Sequence, residues 1–418
     1  MEKNKKILLL GMVFLFCNVK CAESEDVVIQ AHQTRAVPLV LALIGHETQE
    51  SKDRAVEIIR FLEFTGLFSV SVVEMAKHPH RKDIESFGQK GILFVALEEC
   101  DKTCEMRIYQ TKNAQFLKGE RVEKRGDVSA QGKSVADELF FQLTGQKGCA
   151  ESLIVYCKRL GKNKTQICVA DYDGSHEKVV TTIGDIAVAP RWNNDSENPF
   201  ILYSEYTAIN LALMFVDLKG NKHPAVNFDG INMQAAFSPK GDKVLVCLSV
   251  EGSTHIYRCV NGRNKRKFIR LTHGKNNNIS PVYVNEHTIV YCSDRQGSPA
   301  IYSMDEKGKN NKRISSGTAT APAYSEVLDK IGYIEFIKGV AHIVLHDLKT
   351  NEKEYITNDS VHKEDLSFSP CGNFVAFSIV CDGNQQVVVQ SLLTGKRTFI
   401  TPAGNNCGYP CWSGRIVE

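Results

Sequence analysis

An aromatic residue returns in a similar local context six times in the second half of the chain, at Trp192, Phe237, Tyr283, Tyr324, Phe368 and Trp412. The intervals are 45, 46, 41, 44 and 44 residues. A period of about 44 residues is the size of a four-stranded propeller blade. A unit this small cannot bury its apolar face alone and must stack on its neighbours.

The context of the aromatic repeats as well. AAFSPKGDKVLVCLS (235–249) matches LSFSPCGNFVAFSIV (366–380), each a strand, an S-P-x-G turn and a second strand. Pro fixes φ at the first turn corner, and Gly supplies the positive φ of a tight hairpin. Worn copies lie at 190–204, 281–293 and 322–336. A third strand follows in each unit, as in HIYRCVNG and HIVLHDLKT, and a more polar fourth closes it, as in KFIRLT (267–272) and RTFIT (397–401).

The two ends of the repeat are complementary. Only six residues follow Trp412, enough for one strand of the last unit. One period before Trp192, LIVYC (153–157), QICVAD (166–171) and KVVTTI (178–183) supply three strands that lack a first. The C-terminal strand is expected to complete that blade, which closes a ring and removes the open sheet edge. The expectation is an all-β, six-bladed β-propeller over residues 149–418. An open solenoid or a sandwich is the alternative.

Residues 37–148 read as a small mixed α/β domain. VPLVLALI (37–44) is a buried strand, and 51–64 is a helix with Ala55, Ile58, Ile59 and Leu62 on its apolar face. LFSVSVVE (67–74) and ILFVALEE (92–99) are strands, and 105–124 is a hairpin. A last helix is expected from about Ser129, as N-cap, to Thr144, with Gly145 at its end.

The N-terminus has the layout of a secretory signal peptide over residues 1–21: a basic MEKNKK, a ten-residue apolar run ILLLGMVFLF, then small or neutral residues. The apolar run is half of the roughly 20 residues that span a bilayer, and nothing later is long enough. Residues 22–36 are then expected to form an extended arm that includes Asp26, Val27, Val28 and Ile29. Lys3, Lys5, Lys6 and Lys20 against Glu2 give residues 1–21 the whole formal charge of +3, so the remainder is neutral. That excludes the basic field of a nucleic-acid binder.

Fourteen cysteines are present, two of them (Cys17 and Cys21) in the signal segment. Cys157, Cys168, Cys247, Cys259 and Cys292 lie in apolar strand patterns and read as small buried side chains. Cys100 and Cys104, and Cys407 and Cys411, are near enough in sequence to bridge locally in an oxidising compartment.

Catalytic and metal motifs fail on spacing. GDVSAQGKS (126–134) has five residues between its glycines where a phosphate loop has four, and reads as a helix start. HETQE (46–50) lacks the second His of a zinc-protease helix, and no G-x-S-x-G occurs. His78 and His80 read as a solvated turn, and Asp171 and Asp173 in DYDG as a hairpin turn. No metal ligand set and no cofactor site is assigned.

What remains is the mouth of the central channel. The loops entering the innermost strands carry Asn232, Gln234, Asn276, Asn277, Asn278, Thr320, His362, Glu364, Asn405 and Asn406. The loops between second and third strands add Glu251, Asp294, Arg295 and Lys338. Such a polar ring is suited to an extended peptide.

Signal segment, α/β domain and propeller together resemble the TolB family, periplasmic components of the Tol-Pal system of Gram-negative bacteria. DELFFQLTGQKG (137–148), VADYDGSHEKVV (169–180), the F-S-P-x-G turns at 237–241 and 368–372, and the terminal CWSGRI (411–416) carry the resemblance. It covers nearly the whole mature chain. Blades one, three and four lack the S-P-D-G turn, and Lys240 and Cys371 stand where the family usually has Asp. The resemblance implies a non-enzymatic, monomeric periplasmic protein. Its partners would be the peptidoglycan-associated lipoprotein Pal, at the channel mouth, and TolA, through the N-terminal arm. It also implies a role in outer-membrane integrity and cell division. The competing function is a propeller hydrolase with a metal in its channel, which needs several carboxylates or His converging on the axis.

Overall fold

The structure, a computed structural model, describes residues 36–45, 48–88, 93–181, 186–193, 195–206, 210–250, 252–261 and 266–416. The expected signal peptide and all of the expected arm but Ala36, including Asp26, Val27, Val28 and Ile29, lie outside the described residues, as does Glu251.

The N-terminal domain is one five-stranded sheet with helices against it. In chain order its elements are β1 (Val37–Ile44), α1 (Gln49–Phe64), β2 (Phe68–Met75), α2 (Arg81–Ser86), β3 (Leu93–Glu99), β4 (Thr103–Gln110), β5 (Gln115–Glu123) and α3 (Val128–Thr144). The sheet order is β2-β1-β3-β4-β5. β1 runs parallel to β2 and β3, and the last three strands form an antiparallel meander. Parallel pairing needs a crossover between strands, which α1 and α2 supply. Both faces of β1 are therefore buried, which is why VPLVLALI is a continuous apolar run.

Two local readings are corrected. The N-cap of α3 is Asp127, whose carboxylate accepts the Ala130 N–H at 2.8 Å, and not Ser129. The turn holding His80 opens the short helix α2, with His80 as N-cap. The C-terminal end of α3 is as read, with Gly145 left-handed at φ +74°.

Six four-stranded antiparallel sheets follow. Their innermost strands are Ala187–Trp192, Asn232–Phe237, Asn278–Asn285, Ala319–Ser325, His362–Phe368 and Cys407–Arg415, for blades one to six. The last strand pairs antiparallel with Ser152–Gly161, Trp412 opposite Ile154, and so completes the blade begun after α3. Both S-P-x-G turns form as read, with Gly241 at φ +73° and Gly372 at φ +74°.

Each innermost strand has the same irregularity. Ala189, Gln234, Ser280, Ala321, Asp365 and Tyr409 all have φ between +50° and +57°, and each lies three residues before the recurring aromatic. The pairing register shifts beside every one of them. A left-handed non-glycine residue costs roughly 1–2 kcal/mol, so six at one repeat position mark a built feature. The bulges join blade to blade. Gln234 Oε1 accepts the Ser280 N–H at 2.8 Å, and Asp365 Oδ2 accepts the Tyr409 N–H at 3.2 Å.

Cys407 and Cys411 share one strand. At about 3.3 Å per residue they stand more than 10 Å apart, too far for the expected local bridge.

Blade packing leaves no space at Gly332 in blade four. A Cβ there would stand 2.6 Å from Leu366 Cδ2 and 2.7 Å from the Phe368 ring. Overpacking of this kind costs about 1–3 kcal/mol. Gly332→Ala is expected to lower the unfolding free energy from urea titration by that amount, and an unchanged value would show that the blade interface yields.

Candidate functional site

In each antiparallel blade the innermost strand begins where the second strand ends. Asn232 pairs with Leu248, Asn278 with Ser293 and His362 with Val380. Loops entering the innermost strands and loops between second and third strands therefore emerge at one end of the ring, the mouth.

Of the fourteen residues expected at the mouth, Glu251 lies outside the described residues and Lys338 is exposed at this end; the other twelve also come to it, but their side chains do different work. Asn232 is 0% exposed. Its amide donates to Leu211 O and Phe228 O at 2.8 and 2.7 Å and fastens the loop behind it. Asn278 is 1% exposed and donates to Asn276 O at 3.0 Å. Gln234 is 6% exposed and is held by Ser280. These three build the mouth and offer it little surface.

The others are half-buried and line it. Asp294 receives both the backbone and the side-chain N–H of Asn277, at 2.8 and 2.9 Å. Arg295 lies over the Tyr302 ring at 4.4 Å and donates to Asn278 Oδ1 at 3.2 Å, which fixes its guanidinium. His362 Nε2 meets Glu364 Oε1 at 3.1 Å, and the other Glu364 oxygen accepts Gln385 Nε2 at 3.2 Å. Asn406 Oδ1 accepts the Gln385 N–H at 3.1 Å, with Asn405 beside it. Thr320 sits opposite Ile334 at the start of blade four. A lining this well fastened presents donors and acceptors at fixed positions, which lowers the ordering cost of binding.

Sequence reasoning missed the apolar part of the rim. Tyr206 is 47% exposed and Ile337 41%, and Phe336 packs against the His362 ring at 6.1 Å. Exposed aromatic and aliphatic side chains beside fixed charges make a typical anchor pattern. The alternation of a buried strand ending in a turn held the signal, since Tyr206 and Ile337 end second strands on the mouth side.

Asp365 links the mouth to the bulges. Burial, then the neighbouring Glu364, pushes its carboxyl up to about 6, against Arg191 and the hydrogen bonds from Tyr409 N–H and Ser378.

The opposite end of the ring is occupied. There the turn Asp171–Gly174 of blade six and the turns at 369–373 and 391–396 of blade five meet α1, α3 and the segment after it. Asp171 is buried and accepts Lys133 Nζ at 2.7 Å, Arg60 Nη2 at 3.3 Å and His176 Nδ1 at 2.8 Å. Asp173 holds Arg60 Nε at 3.1 Å, and Arg60 also pairs with Glu57. Tyr172 between them is fully buried against Phe61 and Phe64, at 5.2 and 4.9 Å between rings. Lys396 Nζ donates to Glu63 O at 2.8 Å and Asn373 Nδ2 to Lys147 O at 3.2 Å. DYDG is thus a hairpin turn, as read, and also the clamp between the domains. Lys133, from the failed phosphate-loop match, belongs to that clamp. His78, at the far end of the sheet, pairs with Glu98 at 2.7 Å.

These features define the class: a six-bladed propeller with a small α/β domain docked on one end and a polar-rimmed mouth at the other. A family model described as the TolB β-propeller domain matches residues 140–321. The Tol-Pal system protein TolB of Francisella tularensis subsp. mediasiatica is 26% identical over 66% of this chain and 66% of its own length. That of Francisella tularensis subsp. tularensis is 27% identical over 58% of each. The match spans less than two thirds of either relative. The crystal structure of TolB from Acinetobacter baumannii has the same fold, with a TM-score of 0.75 at 21% identity, over 92% of this chain and 100% of that one. The chain is thus similar in sequence to TolB proteins over part of its length and shares the fold of one of them.

Two predictions follow from the geometry. Asp171→Asn leaves Lys133 and Arg60 without their shared carboxylate, and breaking a buried pair costs about 3–5 kcal/mol. The urea midpoint should fall accordingly, and a loss below about 1 kcal/mol would show that the clamp carries no weight. Asp365 binds its proton more tightly folded than unfolded, where Asp titrates near about 3.9. Its contribution to stability is therefore full below about pH 4 and is lost as pH rises through about 6. Asp365→Asn should gain stability relative to the parent between pH 4.5 and 7.5, above a pH-independent offset, in paired urea titrations. Parallel pH profiles would contradict this.

Proposed function

We propose that this protein is a non-enzymatic interaction protein of the periplasm. In this reading it binds the peptidoglycan-associated lipoprotein Pal at the propeller mouth and supports outer-membrane integrity and cell division. TolA is its second partner, through the arm at residues 22–36. The observation that carries the reading is the mouth itself: fixed donors, acceptors and exposed apolar side chains on the end of the ring that the α/β domain leaves open. The relatives' names, as Tol-Pal system proteins, supply the partner. No helix among the described residues is long and apolar enough to cross a membrane. A hydrolase would need a set of ligands or catalytic groups at the axis, whereas the mouth lining is mostly amides, hydroxyls and one His–Glu pair.

The binding arithmetic permits a reversible link. A standard interface of about 1,600 Å² spans micromolar to picomolar affinity according to its anchors. Calorimetric titration of the chain from residue 23 with soluble Pal from the same cell should give saturable one-to-one binding. Glu364→Lys and His362→Ala should each weaken it about tenfold or more. Absence of binding to a folded sample would overturn the proposal.

A further inference from the structure

Cys149 lies in the short connector between α3 and the first strand of blade six, and Cys371 in the S-P-x-G turn of blade five. Both are buried, at 3% and 4% exposure, in the apolar cluster that joins the two domains. The two thiols interact electrostatically with one another. The backbone on either side is pinned. Asp137 Oδ1 accepts the Ala150 N–H at 2.7 Å, Asn373 Nδ2 donates to Lys147 O at 3.2 Å, and Ser369 Oγ lies 3.2 Å from Cys371 Sγ. Two buried thiols, far apart in sequence, on adjoining segments tied by the Asn373–Lys147 bond are placed to join.

We propose that Cys149 and Cys371 form a disulfide that staples the domain connector to blade five. In the partly folded chain either thiol can ionise and attack, and the route through Cys371 is representative. The oxidant is a disulfide, either a low-molecular-weight one or that of a dithiol oxidoreductase. The Cys371 thiolate attacks one of its sulfurs and expels the other as thiolate, leaving a mixed disulfide. Cys149 then gives up its proton and attacks Cys371 Sγ, and the oxidant's second thiolate leaves. The two protein thiols lose two protons and two electrons, and the oxidant takes up both electrons. Since both sulfurs are buried once the domains dock, exchange takes place during folding. The bond would close a loop of about 220 residues, and constraint of the unfolded chain grows with loop length.

The staple draws on the proposed export only for its oxidising compartment, so the test includes an arm independent of location. The full chain is refolded from reduced, denatured protein with a mixture of reduced and oxidised glutathione. Remaining thiols are then alkylated in denaturant, and non-reduced peptides are mapped by mass spectrometry. A Cys149–Cys371 cross-linked peptide is expected, with Tm falling by about 5 °C on reduction. Cys371→Ser and Cys149→Ser should have lower Tm values that reductant no longer moves. Alkylation of both Cys149 and Cys371 in the refolded parent, or a bond from either to a different cysteine, would overturn the inference whatever the variants do.

Discussion

The pairing of Cys407–Arg415 with Ser152–Gly161 is the contact on which the rest depends. It joins the ends of the ring, and without it both blade six and the ring would expose an open edge. The same strand reaches into the domain junction. The Trp412 indole donates to Ser152 Oγ at 2.7 Å and stacks on Phe374, which meets Phe64 of α1. Ring closure and domain docking therefore share one apolar core, which runs from Leu41 in the sheet through Tyr172 to Trp412. Neither is independent of the other.

Closure in turn fixes the mouth. Six bulges recur at one repeat position of the innermost strands, and those at Ser280 and Tyr409 donate their backbone N–H to the neighbouring blade. Their conformational cost is met by the packing around them. The polar rim then hangs from that rigid inner ring through Asn232, Asn278 and Asp294, while the α/β domain takes the other end. The division is economical: one end is a joint, and the other stays available for a partner.

Much of this was legible in the sequence, and the limits have physical causes. The period, the S-P-x-G turns and the complementary half-blades sufficed for the ring and its closure, because turn chemistry is local and the apolar spacing is regular. Helix α2, at six residues, is too short to show periodicity. The mouth was located by topology, yet Asn232, Gln234 and Asn278 proved buried, because Asn232 and Asn278 turn to nearby loop carbonyls and Gln234 to the Ser280 N–H of the next blade. The clamp role of DYDG was invisible, since Arg60 and Lys133 lie 111 and 38 residues before Asp171. A short polar motif shows that a turn is present, and only the fold shows what the turn holds.

The open end of the closed ring is the proposed working surface of the protein. Hydrogen–deuterium exchange of the intact protein, alone and saturated with soluble Pal, tests it most directly. New protection is expected in the mouth segments, around 276–280, 294–296, 336–339, 362–365 and 384–386, with the turns at 171–174 and 391–396 unchanged. Protection confined to those turns, or to the α/β domain, would contradict it.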